Sequence, residues 1–408
     1  MAKAKATIGI DIGTYSIKIL GVNKETNEAL FLEVRDSHGV QKGRIKEPSE
    51  VAKIINEMIE SIERKHSYPI ENVFVNINGS KLELIPSSAS ISVGRADQKI
   101  SEEDINRVKE ETKMINLQSN NKKIIEIFPV EWTLDGEKES RDPLGMQGFK
   151  LELEAMLLSV FNSDIEAVID SLDGIDISEE NIVPGPIADA NAILTPSQKE
   201  LGVALINIGA GSTSIIIYEE GKLLNMAVFP IGSSNITNDI AIGFKTEIEI
   251  AEEIKKKYGS CFKKTGQAKK INFPLEIEED EDEDEKKKKE YLTFAEKDLI
   301  KIIEARTCEI FDFAQEEIKK VSKQGLLPAG IIITGGGANL SGIVELAKKE
   351  FKLPVKIGYC KEIKGLEKDV TLSTVCGVLL SMTGKDSLYS PENKFLKKIK
   401  KIFSNFAP

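Results

Sequence analysis

One short unit occurs twice in this chain, and that repetition is the strongest constraint on how it can fold. Near the start runs TIGIDIGTYSIKILGV, and near the middle runs VALINIGAGSTSIIIY. In the first, Ile8, Ile10 and Ile12 alternate with Gly9, Asp11 and Gly13, and Ile17 and Ile19 resume the alternation. Alternation with a period of two reads as strand, tight glycine turn, strand. The second unit follows the same plan: Asn207-Ile208-Gly209 stands where Asp11-Ile12-Gly13 stood, with small hydroxyl residues next. A unit repeated at this distance predicts an internal duplication, with one hairpin at the head of each of two similar domains. A third glycine cluster, GIIITGGGANLSGIVELA, reads as a strand, a glycine turn and a helix start. Between the hairpins, VAKIINEMIESI is apolar at 51, 54, 55, 58, 59 and 62, which is helical spacing.

Glycine turns at strand ends suit phosphate, because bare backbone approaches an anion closely and successive N–H groups point at it. A carboxylate beside such a turn can hold magnesium, usually through water. Either hairpin alone reads better as an ordinary β-turn, where glycine is expected. Two matched hairpins followed by a triple glycine imply two similar α/β domains facing a cleft for a nucleoside triphosphate.

Composition excludes several other readings. The 408 residues suffice for two or more domains. The four cysteines, Cys261, Cys308, Cys360 and Cys376, form no Cys-x-x-Cys pair, which fits reduced thiols rather than zinc. The two histidines, His38 and His66, stand in contexts that suit neither a metal hydrolase nor a Ser-His mechanism. A net charge of −11 argues against a nucleic-acid partner. No apolar run is long enough to span a bilayer, and MAKAKATIGIDIG does not resemble a secretory signal.

GIDIGTYSIKILGV resembles the first phosphate motif of the actin, Hsp70 and sugar-kinase superfamily, INIGAGSTSI its second, and ITGGGANLSGI its adenosine motif. Within that superfamily the chain is most similar to the bacterial cell-division FtsA family, nearly end to end. HGVQKGRIKEPSEVAKII resembles the segment after the opening sheet. PVEWTLDGEKESRDPLGMQGFKLELEAMLLSV resembles the family's extra subdomain, and STVCGVLLSMTG its closing helix. The resemblance implies an α/β, actin-like (ribonuclease-H-like) two-domain fold with an FtsA-type extra subdomain and a C-terminal amphipathic helix. The expected division is 1–78 with 159–200, the insertion 79–158, 201–243 with 326–384, a smaller lobe 244–325, and a tail 385–408.

By the same resemblance the cofactors are ATP and magnesium. Asp11 would stand beside the metal and reach it through water; Gly13, Thr14 and Tyr15 would form the first phosphate turn, and Lys18 would face phosphate. Gly209, Gly211, Ser212 and Thr213 would form the second turn. Glu252 and Lys255 would flank the adenosine, although the residues alone better suit a surface i, i+3 ion pair. Gly335, Gly336 and Gly337 would form the adenosine loop. One departure stands out: the second motif normally opens with aspartate, and here it is Asn207. An amide neither attracts metal-bound water as a carboxylate does nor accepts its proton. Nucleotide binding with weak or absent hydrolysis is the expectation. Asp189 and Asn191 are polar in the connecting PGPIADANAIL, but receive no catalytic role.

Glu278 to Glu285 is an unbroken acidic run, followed by lysines, and reads as a solvated loop within 276–290. SEEDINRVKEETKMI reads as a helix starting at the Ser101/Asp104 signal, and Trp132 as core packing. In the tail NKFLKKIKKIFSNF, helical spacing puts Phe395, Leu396, Ile399, Ile402, Phe403 and Phe406 on one face about 120° wide. Lys394, Lys397, Lys398, Lys400 and Lys401 occupy the other. Such segregation suits a helix lying in a membrane interface with anionic inner-leaflet lipids, and also a helix docked on protein. The family resemblance implies a peripheral protein on the cytoplasmic face of the membrane at the division site. Its implied partners are FtsZ, copies of itself and other division proteins. The alternatives are a PilM-like pilus-assembly scaffold, or a phosphotransferase or chaperone ATPase of the same superfamily.

Overall fold

The computed structural model describes residues 6–381, apart from 24, 67, 69, 95–96, 115–120, 140–141, 176, 263–268, 276–289 and 322–326. The acidic run at 278–285 and the amphipathic tail at 393–408 lie outside the described residues.

Two five-stranded sheets carry the molecule, and they repeat one topology. The first runs Ile182–Pro184, Ile70–Ile77, Ala6–Ile12, Ser16–Asn23, Glu28–Asp36 across the sheet. The second runs Val355–Ile357, Ile331–Thr334, Val203–Ile208, Thr213–Glu219, Lys222–Phe229. In each, three antiparallel strands precede two parallel ones. The parallel partners need crossovers, supplied by the helix Pro48–Lys65 in the first half and by helices between 233 and 321 in the second.

The duplication extends to single hydrogen bonds. Asp11 pairs with Lys18 across the first hairpin, and Asn207 pairs with Ser214 across the second. The Gly13 N–H donates to the Ser16 carbonyl at 3.2 Å, and the Gly209 N–H donates to the Ser212 carbonyl at 2.9 Å. A Cβ at either glycine would come 2.9 Å from that same serine oxygen, so each turn closes only without a side chain. Both opening strands are sandwiched: Ala6–Ile12 is buried along its whole length, and Val203–Ile208 nearly so. That explains how Gly9 and the isoleucines share one strand, because helices cover both sheet faces.

The helix Pro48–Lys65 buries Val51, Ile55, Met58 and Ile62, the face its spacing predicts. Residues between the strand Ile70–Ile77 and the helix Asn162–Asp170 form a separate lobe. Its four-stranded sheet runs Glu83–Ser92, Lys150–Phe161, Lys122–Leu134, Glu137–Glu139. Across it packs Glu102–Met114, whose first turn is closed by Ser101 Oγ and N–H donating to Asp104 at 2.6 and 3.0 Å. Trp132 packs half-buried against this lobe's core of Ile91, Ile105, Val108, Leu151 and Leu153.

One helix crosses the expected division. Ser373–Leu380 falls within 326–384, which the sequence reading assigns to the second domain. It packs instead on the first sheet: Val375, Cys376 and Leu379 cluster with Leu20 and Val22, and Val378 with Phe74, Val183 and Ala188. Gly377 makes the approach possible, because a Cβ there would fall 1.8 Å from the Ala188 carbonyl oxygen. This helix therefore lies against Gly185–Ile193 and ties the two halves together at the base of the space between them.

Candidate functional site

Between the sheets lies a cleft of about 510 Å³, a size that suits a small ligand. The two glycine turns line it face to face, and the glycine loop after Ile331–Thr334 closes it. Thr14 meets the opposing turn directly: a Cβ at Gly211 would sit 2.8 Å from the Thr14 side chain. Gly336 is the opposite case, since a Cβ there would meet nothing within 4 Å. Asp11, Gly13, Thr14, Tyr15, Lys18, Gly209, Gly211, Ser212, Glu252, Lys255, Gly335, Gly336 and Gly337 all line the cleft. Thr213 does not. It is fully buried, and its hydroxyl donates to the Ile231 carbonyl at 2.8 Å, because alternation along Thr213–Glu219 turns it away from the turn.

Asp11 sits at the end of its strand, 5 % exposed. Lys18 Nζ donates to its Oδ2 at 3.0 Å and Asn76 Nδ2 to its Oδ1 at 2.8 Å. Asn76 is held in turn by the Ile12 N–H, which donates to its Oδ1 at 2.7 Å. The first turn therefore presents a rigid carboxylate whose charge is already offset by an ammonium.

Asn207 occupies the matching place in the second half and is tied to a residue that sequence reasoning set aside. Its Nδ2 donates to Asp189 Oδ2 at 2.6 Å, and Thr374 Oγ1 donates to Asp189 Oδ1 at 2.8 Å. Asp189 is 2 % exposed yet lines the cleft. Burial pushes its carboxyl up to about 6, opposed by hydrogen bonds from Asn207, Thr374 and Ser373 and reinforced by the charge of Asp11. The other polar residue of that segment, Asn191, bonds to Ser381 Oγ at 3.1 Å instead.

Glu252 and Lys255 form no surface pair. Their charges meet at 2.6 Å with the lysine side chain buried, and Lys255 Nζ also donates to Thr237 Oγ1 at 2.7 Å and the Ser233 carbonyl at 3.1 Å. Burial lowers the Lys255 pKa, opposed by Glu252. For Glu252, burial acts upward, but bonds from Lys255 and Thr237 leave the carboxyl below its usual value. Next along the helix, Lys256 Nζ donates to Tyr15 Oη at 2.9 Å and stacks over that ring at 5.1 Å, bridging the cleft mouth. Tyr15 and Lys256 thus join the two halves at its rim, and Ser233 and Ser234 line the cleft from the second half.

Bare backbone at two facing turns, with Lys18 and Lys255 at the flanks, suits a polyphosphate. The loop at 335–337, facing Glu252 and Lys255, leaves room for the uncharged end of such a ligand.

Comparison with known proteins agrees with this architecture. Residues 204–377 match the family described as "Cell division protein FtsA", and residues 79–159 match "SHS2 domain inserted in FTSA". The chain is 30% identical over 353 residues to the cell division protein FtsA of Bacillus subtilis strain 168, covering 86% of this chain and 78% of that one. The chain belongs to the FtsA family. The FtsA of Pseudomonas aeruginosa is 28% identical over 424 residues, covering 98% of both chains. Among solved structures, the "PilM-PilN type IV pilus biogenesis complex" superposes with a TM-score of 0.61 at 16% identity, over 92% of this chain and 97% of that one. MreB5 of Spiroplasma citri bound to ADP gives 0.52 at 13% identity, over 98% and 99%. At such identities these likenesses establish the fold, which is actin-like, while the sequence relatives place the chain among cell division proteins.

Proposed function

We propose that this FtsA family member binds ATP with magnesium in the cleft, assembles end to end on the cytoplasmic face of the cell membrane, and tethers FtsZ there during division. The observation that carries the nucleotide reading is the pair of glycine turns facing each other across one cleft, each closed by a glycine that brings bare backbone to the space. The ADP bound in the similarly folded Spiroplasma protein lends support. The triphosphate would lie between Gly13–Tyr15 and Gly209–Ser212, with Lys18 nearby and the adenosine between Glu252–Lys255 and Gly335–Gly337. Among the described residues no three metal-ligating side chains cluster, which suits magnesium, an ion commonly held by one or two carboxylates and the phosphates themselves. Asp11 is one such carboxylate. Bound magnesium would offset the charge of the phosphates.

The membrane reading rests on the tail sequence. Phenylalanines and leucine on one face and lysines on the other suit an in-plane helix on anionic lipid, each lysine adding about 1 kcal/mol. The tether to FtsZ and self-assembly rest on family membership.

Gly336→Leu tests the cleft. A Cβ at Gly336 meets nothing within 4 Å, so a leucine there starts into open cleft and occupies ligand volume. Calorimetric titration of ATP with magnesium should show binding to the wild type and its loss in the variant, with unchanged melting temperatures. Equal affinities would remove ATP from this cleft.

A further inference from the structure

Resting on that nucleotide reading, we propose that Asp189 supplies the cleft's second cation-binding carboxylate, with Asn207 as its positioning residue. The two halves of the molecule carry the same groups in exchanged places. In the first, the strand ends in a carboxylate, Asp11, and the adjoining strand supplies the amide that holds it, Asn76, at 2.8 Å. In the second, the strand ends in the amide, Asn207, and the adjoining helix supplies the carboxylate, Asp189, at 2.6 Å. The same pair of groups is present at both ends of the cleft floor with their positions exchanged. An asparagine on the second strand therefore does not leave the second turn without a carboxylate.

The charges then favour Asp189 as the stronger attractor. Asp11 faces Lys18 across its hairpin, whereas the residue facing Asn207 in the same register is the uncharged Ser214. Among the described residues no cation stands within ion-pair distance of Asp189, which is partnered by neutral donors alone. A buried carboxylate satisfied by hydrogen bonds but lacking a counter-charge is costly in isolation. It gains when a divalent cation arrives with the phosphates. Asn207, Thr374 and Ser373 take three of its four lone-pair sites, and one remains for water in the cation's shell. The orienting amide and hydroxyls fix which way that site points, as outer partners commonly do at metal sites.

The test uses the full chain and three proteins: wild type, Asp189→Asn, and the exchange Asp189→Asn with Asn207→Asp. ATP affinity is measured by calorimetry with magnesium and with chelator. Asp189→Asn should lose about 10- to 100-fold of the affinity that magnesium adds, with chelator-state affinity unchanged or improved. The exchange variant, which restores a carboxylate–amide pair, should regain most of it. Electron paramagnetic resonance of manganese gives a second readout: with ADP, wild type and exchange variant should bind the ion and Asp189→Asn should leave it free. A full magnesium effect in Asp189→Asn overturns the proposal while leaving the nucleotide cleft intact. So does an exchange variant that melts like wild type and recovers nothing. If the wild type bound no ATP under either condition, the cleft reading would fall and this proposal with it.

Discussion

At the residue scale, the glycines and one aspartate separate what a sequence displays from what it conceals. Gly13 and Gly209 were legible because alternation stops at them and hydroxyl residues follow, a local pattern with a local cause. Gly335 and Gly336 look alike in sequence and behave differently: Gly335 has φ +83° and its Cβ would fall 2.1 Å from Asn207 Oδ1, while Gly336 faces open space. Asp189 was not legible. It lies in GPIADANAI, whose small apolar neighbours read as core, and its partner Thr374 is 185 residues away. Its importance arises from tertiary approach alone. The consequence is measurable in nucleotide-free protein with chelator. The folded carboxyl, at about 6, lies above its reference of 3.8, so the folded state holds that proton more tightly. Asp189 therefore costs nothing below about pH 4 and most above pH 6 to 7. Between pH 5 and pH 8, wild-type unfolding free energy should fall by about 1 kcal/mol relative to Asp189→Asn. Parallel stability curves for the two proteins would show that the group does not titrate in this window.

At the element scale, the strands, the helix Pro48–Lys65 and the helix Glu102–Met114 followed from periodicity and capping, because each is stabilised by its own face and ends. The placement of Ser373–Leu380 did not. After Ser373 and Thr374 its residues VCGVLL are apolar or small throughout and carry no polar stripe to indicate a direction of packing. Gly377 decides it, by allowing this helix onto Gly185–Ile193 at a distance no side chain permits. Gly377→Leu should thus separate the two helices and break the Thr374–Asp189 hydrogen bond. Overpacking at such a contact costs about 1–3 kcal/mol or more. Thermal unfolding should show that loss together with weaker ATP binding. An unchanged melting temperature would mean that the contact contributes little to holding the halves together.

At the scale of the whole molecule, duplication, the inserted lobe and the cleft were all readable, since each recurs as a motif or an interruption along the chain. How the halves meet was less so, because Lys256–Tyr15 and Thr374–Asp189 join residues that sequence spacing cannot relate. On the proposed membrane reading the tail's role is separable from the folded body, and removing 393–408 should leave the melting temperature within about 1 °C. Binding of the intact protein to anionic vesicles should weaken as salt screens the lysines. Salt-independent binding, or equal binding by the truncated protein, would place the anchor elsewhere. The central claim is that one molecule joins membrane and FtsZ, and co-sedimentation tests it most directly. Its cognate FtsZ is mixed with anionic vesicles, magnesium and ATP, alone, with the intact protein, or with the form lacking 393–408. The account predicts that FtsZ pellets with vesicles only when the intact protein is present. FtsZ that stays in the supernatant while the intact protein itself pellets would contradict it.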